Sequence, residues 1–365
     1  MWANERPLRV AHLLHGWYLG GLEQLVVEMA SQGAARGAEA MVIALGQEGP
    51  IRDALTARGV PTHGISTAGL SAPTLRALDA ALDDFGADVL HAHDLGPWLN
   101  AAAARVRRPR MAVLATFHQM AVPTGAKRVA ALAAAAVTSA VVACGREVRA
   151  QLHTWLPRRA RVATIGNGIR LPALPTPSER AAARARLGIP EGVVAVGYLG
   201  RMAQIKGPDL LLSAFVSAFG ERGDVHLALI GDGPLDGALG GLARGRANVH
   251  RLGAVIDGRA LLAGLDVYAQ TSLTEGRSLA MLEAMAAGLP TVAHDLPGVR
   301  EIHGARTALC VPLGDARALR EALVALVESP ERRSALGAAA RAESLRYGVD
   351  ATFDAYLSLY RELRA

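Results

Sequence analysis

Lysine is nearly missing from this chain. Among 365 residues there are 39 Lys plus Arg, yet only Lys127 and Lys206 are lysines. Aromatic residues are scarce at 4%, so Ala, Leu and Val must fill the cores. There are only two cysteines, Cys144 and Cys310. Both lie in apolar strand-like runs far apart in sequence and are read as reduced core residues of a cytosolic protein. No run is apolar enough to span a membrane. The longest weakly polar one, 129–144, is mostly alanine with Thr138 and Ser139 inside it, and is read as a helix end followed by a strand. The start, Met1-Trp2-Ala3-Asn4-Glu5-Arg6-Pro7, carries no signal-peptide pattern.

What is present describes a globular protein. Hydrophobic residues make up 51% and charged residues 20%, enough for two cores and two domains of ordinary size. The formal charge is +6. Residues 1–168 hold 17 cations against 12 anions, and the remainder 22 against 21, so the basicity sits in the first half. Arg105, Arg107, Arg108, Arg110, Lys127 and Arg128 are candidates for an anionic lipid surface or a phosphorylated acceptor. The alternative is an ordinary solvated face.

Strand and helix patterns alternate from end to end. Apolar runs at 8–15, 40–45, 88–92, 111–116, 140–143 and 162–165 read as strands, with a helix over 22–36. A second series reads as strands at 193–199, 225–230, 249–252, 267–269, 291–293 and 308–311, with helices such as 209–219 and 318–327. Such alternation implies parallel sheets covered on both faces. Gly166-Asn167-Gly168, leading to Pro172, Pro175 and Pro177, breaks it. The expected domains are therefore 1–168 and 179–346, with a linker at 169–178. An amphipathic helix at 347–365 follows, with Phe353, Tyr356, Leu357, Tyr360 and Leu363 on helical spacing. Doubly wound domains bind ligands at the carboxyl ends of their strands, so the cleft between them is the expected site.

One of the two lysines stands at such an end. Gly200-Arg201 closes an apolar run, and Lys206-Gly207 follows five residues later. A forked guanidinium and a mobile ammonium at a strand-to-helix corner suit a diphosphate. Glu275-Gly276-Arg277-Ser278 comes next, with Ser278 as N-cap of a helix over 279–287 whose residues are nearly all apolar except Glu283. A carboxylate there needs a hydrogen-bond partner, either a sugar diol or backbone donors. Gly20-Gly21 after the first strand, and Gly231-Asp232-Gly233-Pro234, resemble phosphate-approach turns but fit ordinary turns as well. The first turn does not fit the dinucleotide fingerprint, which discounts a dehydrogenase. His91-Ala92-His93-Asp94 is expected to share a metal only if the chain bends there, so no metal is expected. His118 lies just past a strand end.

Together these residues resemble the retaining family-4 glycosyltransferases. The marks are Gly20-Gly21-Leu22-Glu23, His91-Ala92-His93, Phe117-His118, Asn167-Gly168-Ile169, Gly200-Arg201 with Lys206-Gly207, Gly231-Asp232-Gly233-Pro234, and Glu275-Gly276 with Glu283 eight residues on. They cover essentially the whole chain. The resemblance implies the α/β GT-B fold: two Rossmann-like doubly wound domains facing across a cleft, with a terminal helix crossing back to the first. It implies that Arg201 and Lys206 hold the diphosphate of a nucleotide sugar. Glu275 would bind hydroxyls of the donor sugar, helped by amides of Gly276, Arg277, Ser278 and Leu279, and Glu283 would bind the ribose. Gly20 and Gly21 would let the first domain approach the donor phosphates on closure, Gly233 would belong to the donor-binding set, and the base would sit near Gly253-Ala254-Val255. His118 would lie near the hexose. One departure is Arg170, which stands where the family often has Asp.

The implied activity is metal-independent, retaining transfer of a hexose from a UDP- or GDP-sugar, UDP preferred. The acceptor would be a sugar, lipid-linked or small molecule in polysaccharide or glycoconjugate assembly. The enzyme would be cytoplasmic, with peripheral membrane contact through its basic first domain, no cofactor beyond the donor and no nucleic-acid partner. A nucleotide-sugar epimerase and a non-catalytic nucleotide-sugar binding protein are the alternatives.

Overall fold

The computed structural model describes residues 6–18, 20–46, 48–66, 69–119, 122–303 and 306–364. Met1 to Glu5, used above for the targeting argument, lie outside the described residues. The chain divides into two compact units: residues 1–167 with 349–365, and residues 168–348.

The first unit holds seven strands: β1 (Leu8–Leu14), β2 (Ala38–Leu45), β3 (Thr62–Ile65), β4 (Val89–His93), β5 (Ala112–Phe117), β6 (Ala140–Ala143) and β7 (Val162–Thr164). Their order is β3-β2-β1-β4-β5-β6-β7, all parallel. Parallel neighbours require crossovers, and the crossover helices bury both sheet faces. That is why an inner strand such as β6 reads as an unbroken apolar run. The order reverses between β1 and β4, so the loops after β1 and β4 flank the switch point where such sheets bind ligands, and the loop after β5 lies next to them. Gly20, Asp94 and His118 stand on those loops. Three of the few aromatic residues, Trp98, Phe117 and Trp155, pack ring to ring at 5.5 to 6.2 Å in this core.

The second unit holds β8 (Val194–Leu199), β9 (Val225–Ile230), β10 (Val249–Arg251), β11 (Val267–Gln270), β12 (Thr291–His294) and β13 (Ala308–Val311). The order is β10-β9-β8-β11-β12-β13, again parallel. Here the switch falls between β8 and β11. Arg201 and Lys206 follow β8, and Glu275 follows β11.

The expected strands are present, with ends shifted by up to two residues. The sequence reading left β3 out. Cys310 is exposed rather than in the core, because β13 is an edge strand and this residue falls on its outer face. Cys144 is buried. The last helix runs Val349–Arg364 and packs its Tyr356 and Tyr360 on the first unit's sheet. Among the described residues no helix is long and apolar enough to cross a membrane.

Candidate donor site

Two hydrogen bonds stitch the loop after β8 to the loop after β11. Leu273 N donates to Ile205 O at 2.9 Å, and Thr271 Oγ1 to Gly207 O at 2.6 Å. Gly207 has φ +62°, and a Cβ there would meet Thr271 O at 2.3 Å. Glycine satisfies both the left-handed backbone and the close approach. The stitch brings Lys206 Nζ to 2.6 Å from Glu275 Oε1. Ser272 Oγ donates to that same oxygen at 2.8 Å and Gln270 Nε2 at 2.9 Å. Three donors saturate Oε1, while Oε2 takes no bond from the described residues.

Beside this carboxylate a helix begins. Ser278 Oγ accepts from Met281 N at 3.3 Å and caps Leu279–Ala286. The amides of Gly276, Ser278 and Leu279 have no acceptor among the described residues. Arg201 is exposed and its guanidinium has no partner among them. Open amides at a helix start, an unpaired guanidinium and an ammonium around one switch point are groups whose chemistry suits an anion. The Arg277 side chain is turned elsewhere: it pairs with Glu301 at 2.6 Å and lies over the Tyr347 ring at 5.4 Å.

Glu283 is half-buried and lines a cavity of about 380 Å³ together with Arg170, Arg186, Asp257 and Arg259. Gly233 has φ +155°, and a Cβ would meet Met202 O at 2.5 Å; its amide donates to Asp236 Oδ2 at 3.0 Å. Gly231 N donates to Gly253 O at 2.9 Å, which ties the Gly231–Pro234 turn to the stretch leading to half-buried Val255.

In the first unit the histidines gather. His91 and His93 are two apart in β4 and share one face with no bend, since side chains alternate with a period of two. This corrects the expectation that they diverge. Parallel register sets His12 of β1 beside His91, and all three rings are buried. One nitrogen from each of the three lies within 4.8 Å of the others. A metal would need their lone pairs to converge on a common point at about 2.0–2.1 Å. Instead His12 Nδ1 and His93 Nε2 are 3.2 Å apart with centroids 5.4 Å apart and planes at 23°, so the nitrogens point at one another. His93 Nδ1 meets His118 Nε2 the same way, at 3.1 Å with centroids 5.3 Å apart. His118 Nδ1 lies 3.1 Å from Asn167 Oδ1. That oxygen can only accept, which assigns Nδ1–H to His118, then to His93, then to His12. His91 is held by Tyr360 OH at 2.6 Å and Thr116 Oγ1 at 2.7 Å. Burial lowers the pKa of His12 to about 4 and takes His91 and His93 well below the usual range. It lowers His118 too, against the pull of Asp94 and Asn167.

Two family models match the chain: "Glycosyltransferase Family 4" over residues 19–171 and "Glycosyl transferases group 1" over 193–329. A D-inositol 3-phosphate glycosyltransferase of Saccharomonospora viridis is 31% identical over 305 residues, covering 78% of this chain and 67% of the relative. The chain belongs to glycosyltransferase family 4. A GDP-mannose-dependent monoacylated alpha-(1-6)-phosphatidylinositol monomannoside mannosyltransferase of Corynebacterium glutamicum is 33% identical over 177 residues. That match spans about half of either protein, 46% of each. Among solved structures, Anabaena Alr3699/HepE in complex with UDP-glucose superposes with a TM-score of 0.86 at 21% identity, covering 97% of this chain and 100% of that one. The fold is GT-B, two parallel-sheet Rossmann-like domains.

In this family-4 glycosyltransferase the structure brings Lys206, Glu275, Gly276, Ser278 and Leu279 together, with Arg201 on the loop after β8. His118 has both ring nitrogens engaged by its own unit, and Gly20 opens the Gly21–Gly33 helix with extended backbone and no side-chain cap. Sequence reasoning missed Gln270, Ser272, His12 and Asn167. Asn167 reads as linker yet is buried against His118. The basic cluster is largely spoken for: Arg107 and Arg108 pair with Asp79 and Asp83, and Arg105 binds backbone carbonyls.

Proposed function

We propose that this chain is a retaining hexosyltransferase that uses a nucleoside-diphosphate sugar. The observation that carries the reading is the Lys206–Glu275 contact beside the open amides of Gly276, Ser278 and Leu279. The amides, Lys206 and Arg201 would neutralise the departing diphosphate as the anomeric carbon gains positive charge. Glu275 Oε2 would accept from a sugar hydroxyl, and Glu283 would serve the ribose. Departing phosphate can accept the acceptor's proton on the same face, so no carboxylate nucleophile is needed. The arginine, lysine and amides also supply what a metal would, and we propose a metal-independent reaction.

UDP is our preferred base, supported by the Anabaena neighbour solved with UDP-glucose; the Corynebacterium relative, named for GDP-mannose, supports GDP as the alternative. The relatives named for inositol 3-phosphate and phosphatidylinositol mannoside support a polar or lipid-linked acceptor in glycoconjugate or polysaccharide assembly. The site is proposed to work in the cytoplasm, with membrane contact at most peripheral. The test is thermal stabilisation by UDP and by GDP, followed by NMR of the product's anomeric centre with inositol 3-phosphate as acceptor. An inverted anomer would overturn retention. A donor sugar altered without any acceptor would show an epimerase instead.

A further inference from the structure

Gln270 is an amide where the sheet offers apolar company. It ends β11, an inner strand, after Val267, Tyr268 and Ala269, and is 3% exposed. A buried primary amide needs partners for both its ends. Its Nε2 donates to Glu275 Oε1 at 2.9 Å. Its Oε1 accepts from Ser278 Oγ at 2.9 Å and from Tyr268 OH at 3.2 Å. The orientation is not interchangeable. A flipped amide would set oxygen against carboxylate; Ser278 Oγ would lose its acceptor, and Tyr268 OH would keep only Leu199 O, at 3.3 Å. Ser278 Oγ in turn caps the helix whose first amides stand open. One side chain therefore ties the carboxylate to the start of the anion-binding helix.

We infer that Gln270 is a positioning residue of the donor site. It fixes Glu275 through Oε1, so that Oε2 is the one carboxylate oxygen left to read the donor sugar, and it locks that oxygen's placement to the helix start. This rests on the reading of Glu275 as a donor-sugar ligand. Ser272 Oγ and Lys206 Nζ complete the grip on Oε1, but both come from loops, whereas Gln270 comes from the rigid sheet. A glutamine at this point therefore sets the carboxylate's angle more firmly than either neighbour.

The test is the isosteric Gln270→Glu. That variant keeps an acceptor for Ser278 and Tyr268 but faces Glu275 with a second carboxylate. Two carboxyl groups at hydrogen-bond distance hold one proton between them. The other charged or titratable groups facing the pair are Lys206, Tyr198, Tyr268 and Glu283. Turnover is followed as nucleoside-diphosphate release from whichever of UDP-glucose, UDP-N-acetylglucosamine and GDP-mannose the wild type consumes. At pH 8 the variant should turn over about tenfold more slowly than wild type, and the deficit should shrink as the pH falls and the shared proton returns. Affinity for the bare nucleoside diphosphate should stay within about twofold, because the diphosphate contacts are untouched. A purely structural role would lower nucleoside-diphosphate affinity in step with turnover. Gln270→Met is the second variant: it should slow turnover at every pH, and it decides the matter if the glutamate variant does not fold. Wild-type turnover in either folded variant overturns the inference. Glu275→Ala separates the two levels. If it is inactive while Gln270→Glu behaves as wild type, only the role of Gln270 falls; if Glu275→Ala is itself active, the donor-site reading falls first.

Discussion

Lys206 Nζ stands 2.6 Å from Glu275 Oε1, across a span of 69 residues. The carboxylate is 8% exposed at its side chain and the lysine 31%. The pair is thus one-sided: the acid is held in the protein while the cation can still meet solvent or a phosphate. Removing either partner should break the chemistry through a different quantity. Lys206→Ala should lower nucleoside-diphosphate affinity and cut turnover at least about a hundredfold, since a cation on the leaving group acts mainly in the transition state. Glu275→Ala should cut turnover to the same degree while leaving nucleoside-diphosphate affinity nearly intact. Isothermal titration with UDP, run beside the turnover assay, separates the two. Near-normal turnover in either variant would sink the site.

Gly207 carries the geometry that makes this pair. Gly207→Ala would force a side chain into the left-handed region and against Thr271 O, only 2.3 Å from the new Cβ. The expected cost is about 1–3 kcal/mol of stability. The larger effect should be functional, because relief requires the Lys206 loop to lift from the end of β11. Chemical denaturation and UDP titration together check this. A variant as stable as wild type and equally tight for UDP would mean that the loop is not held as described.

The sheets were readable because parallel strands buried on both faces are apolar along most of their length, as in Ala140–Ala143. The edge strand Thr62–Ile65 escaped because its exposed and half-buried residues leave no apolar run to notice. In the site, Lys206 and Glu275 announced themselves by standing next to glycines at strand ends. Gln270 and His12 did not. Each is a single polar residue within or at the end of an apolar strand, and what it does depends on which strand lies beside it. His12 gains its meaning from register with His91, and Gln270 from a loop five residues on that folds back over its own strand. Asn167 was hidden for the opposite reason, since glycines on both sides made it look like linker.

The histidine chain should make the first unit sensitive to acid. Folded His12 has its pKa lowered to about 4, and His91 and His93 are lowered as well, so the unfolded chain binds protons that the folded one refuses. Their contribution is full above the ordinary histidine pKa, about 6.5, and is lost as the pH falls toward the folded values. For His12 alone, a pKa lowered to about 4 corresponds to on the order of 3 kcal/mol. Urea unfolding at pH 7.5 and pH 5 should therefore show a clear loss at the lower pH. In His12→Gln the loss should be smaller, while stability near neutrality falls through the broken bond to His93. A pH-independent midpoint between those values in the wild type would contradict neutral, hydrogen-bonded rings. The same chain makes a second reading testable: a chelator should not change that midpoint, because the nitrogens point at each other and not at a shared centre.

Arg201 offers the cleanest separation of binding from stability. It is exposed, and its guanidinium touches no acid among the described residues. Removing it should therefore cost the folded state less than about 0.5 kcal/mol. Its use would come only with a diphosphate, onto which a guanidinium forks two hydrogen bonds. Arg201→Ala should weaken UDP binding by about tenfold or more and reduce its salt dependence, as one fewer cation meets the anion. Arg201→Lys should restore part of the affinity, since it returns the charge without the fork. If alanine, lysine and arginine at this position bind UDP equally well, the loop after β8 meets the donor through Lys206 alone, and the anion site is narrower than proposed.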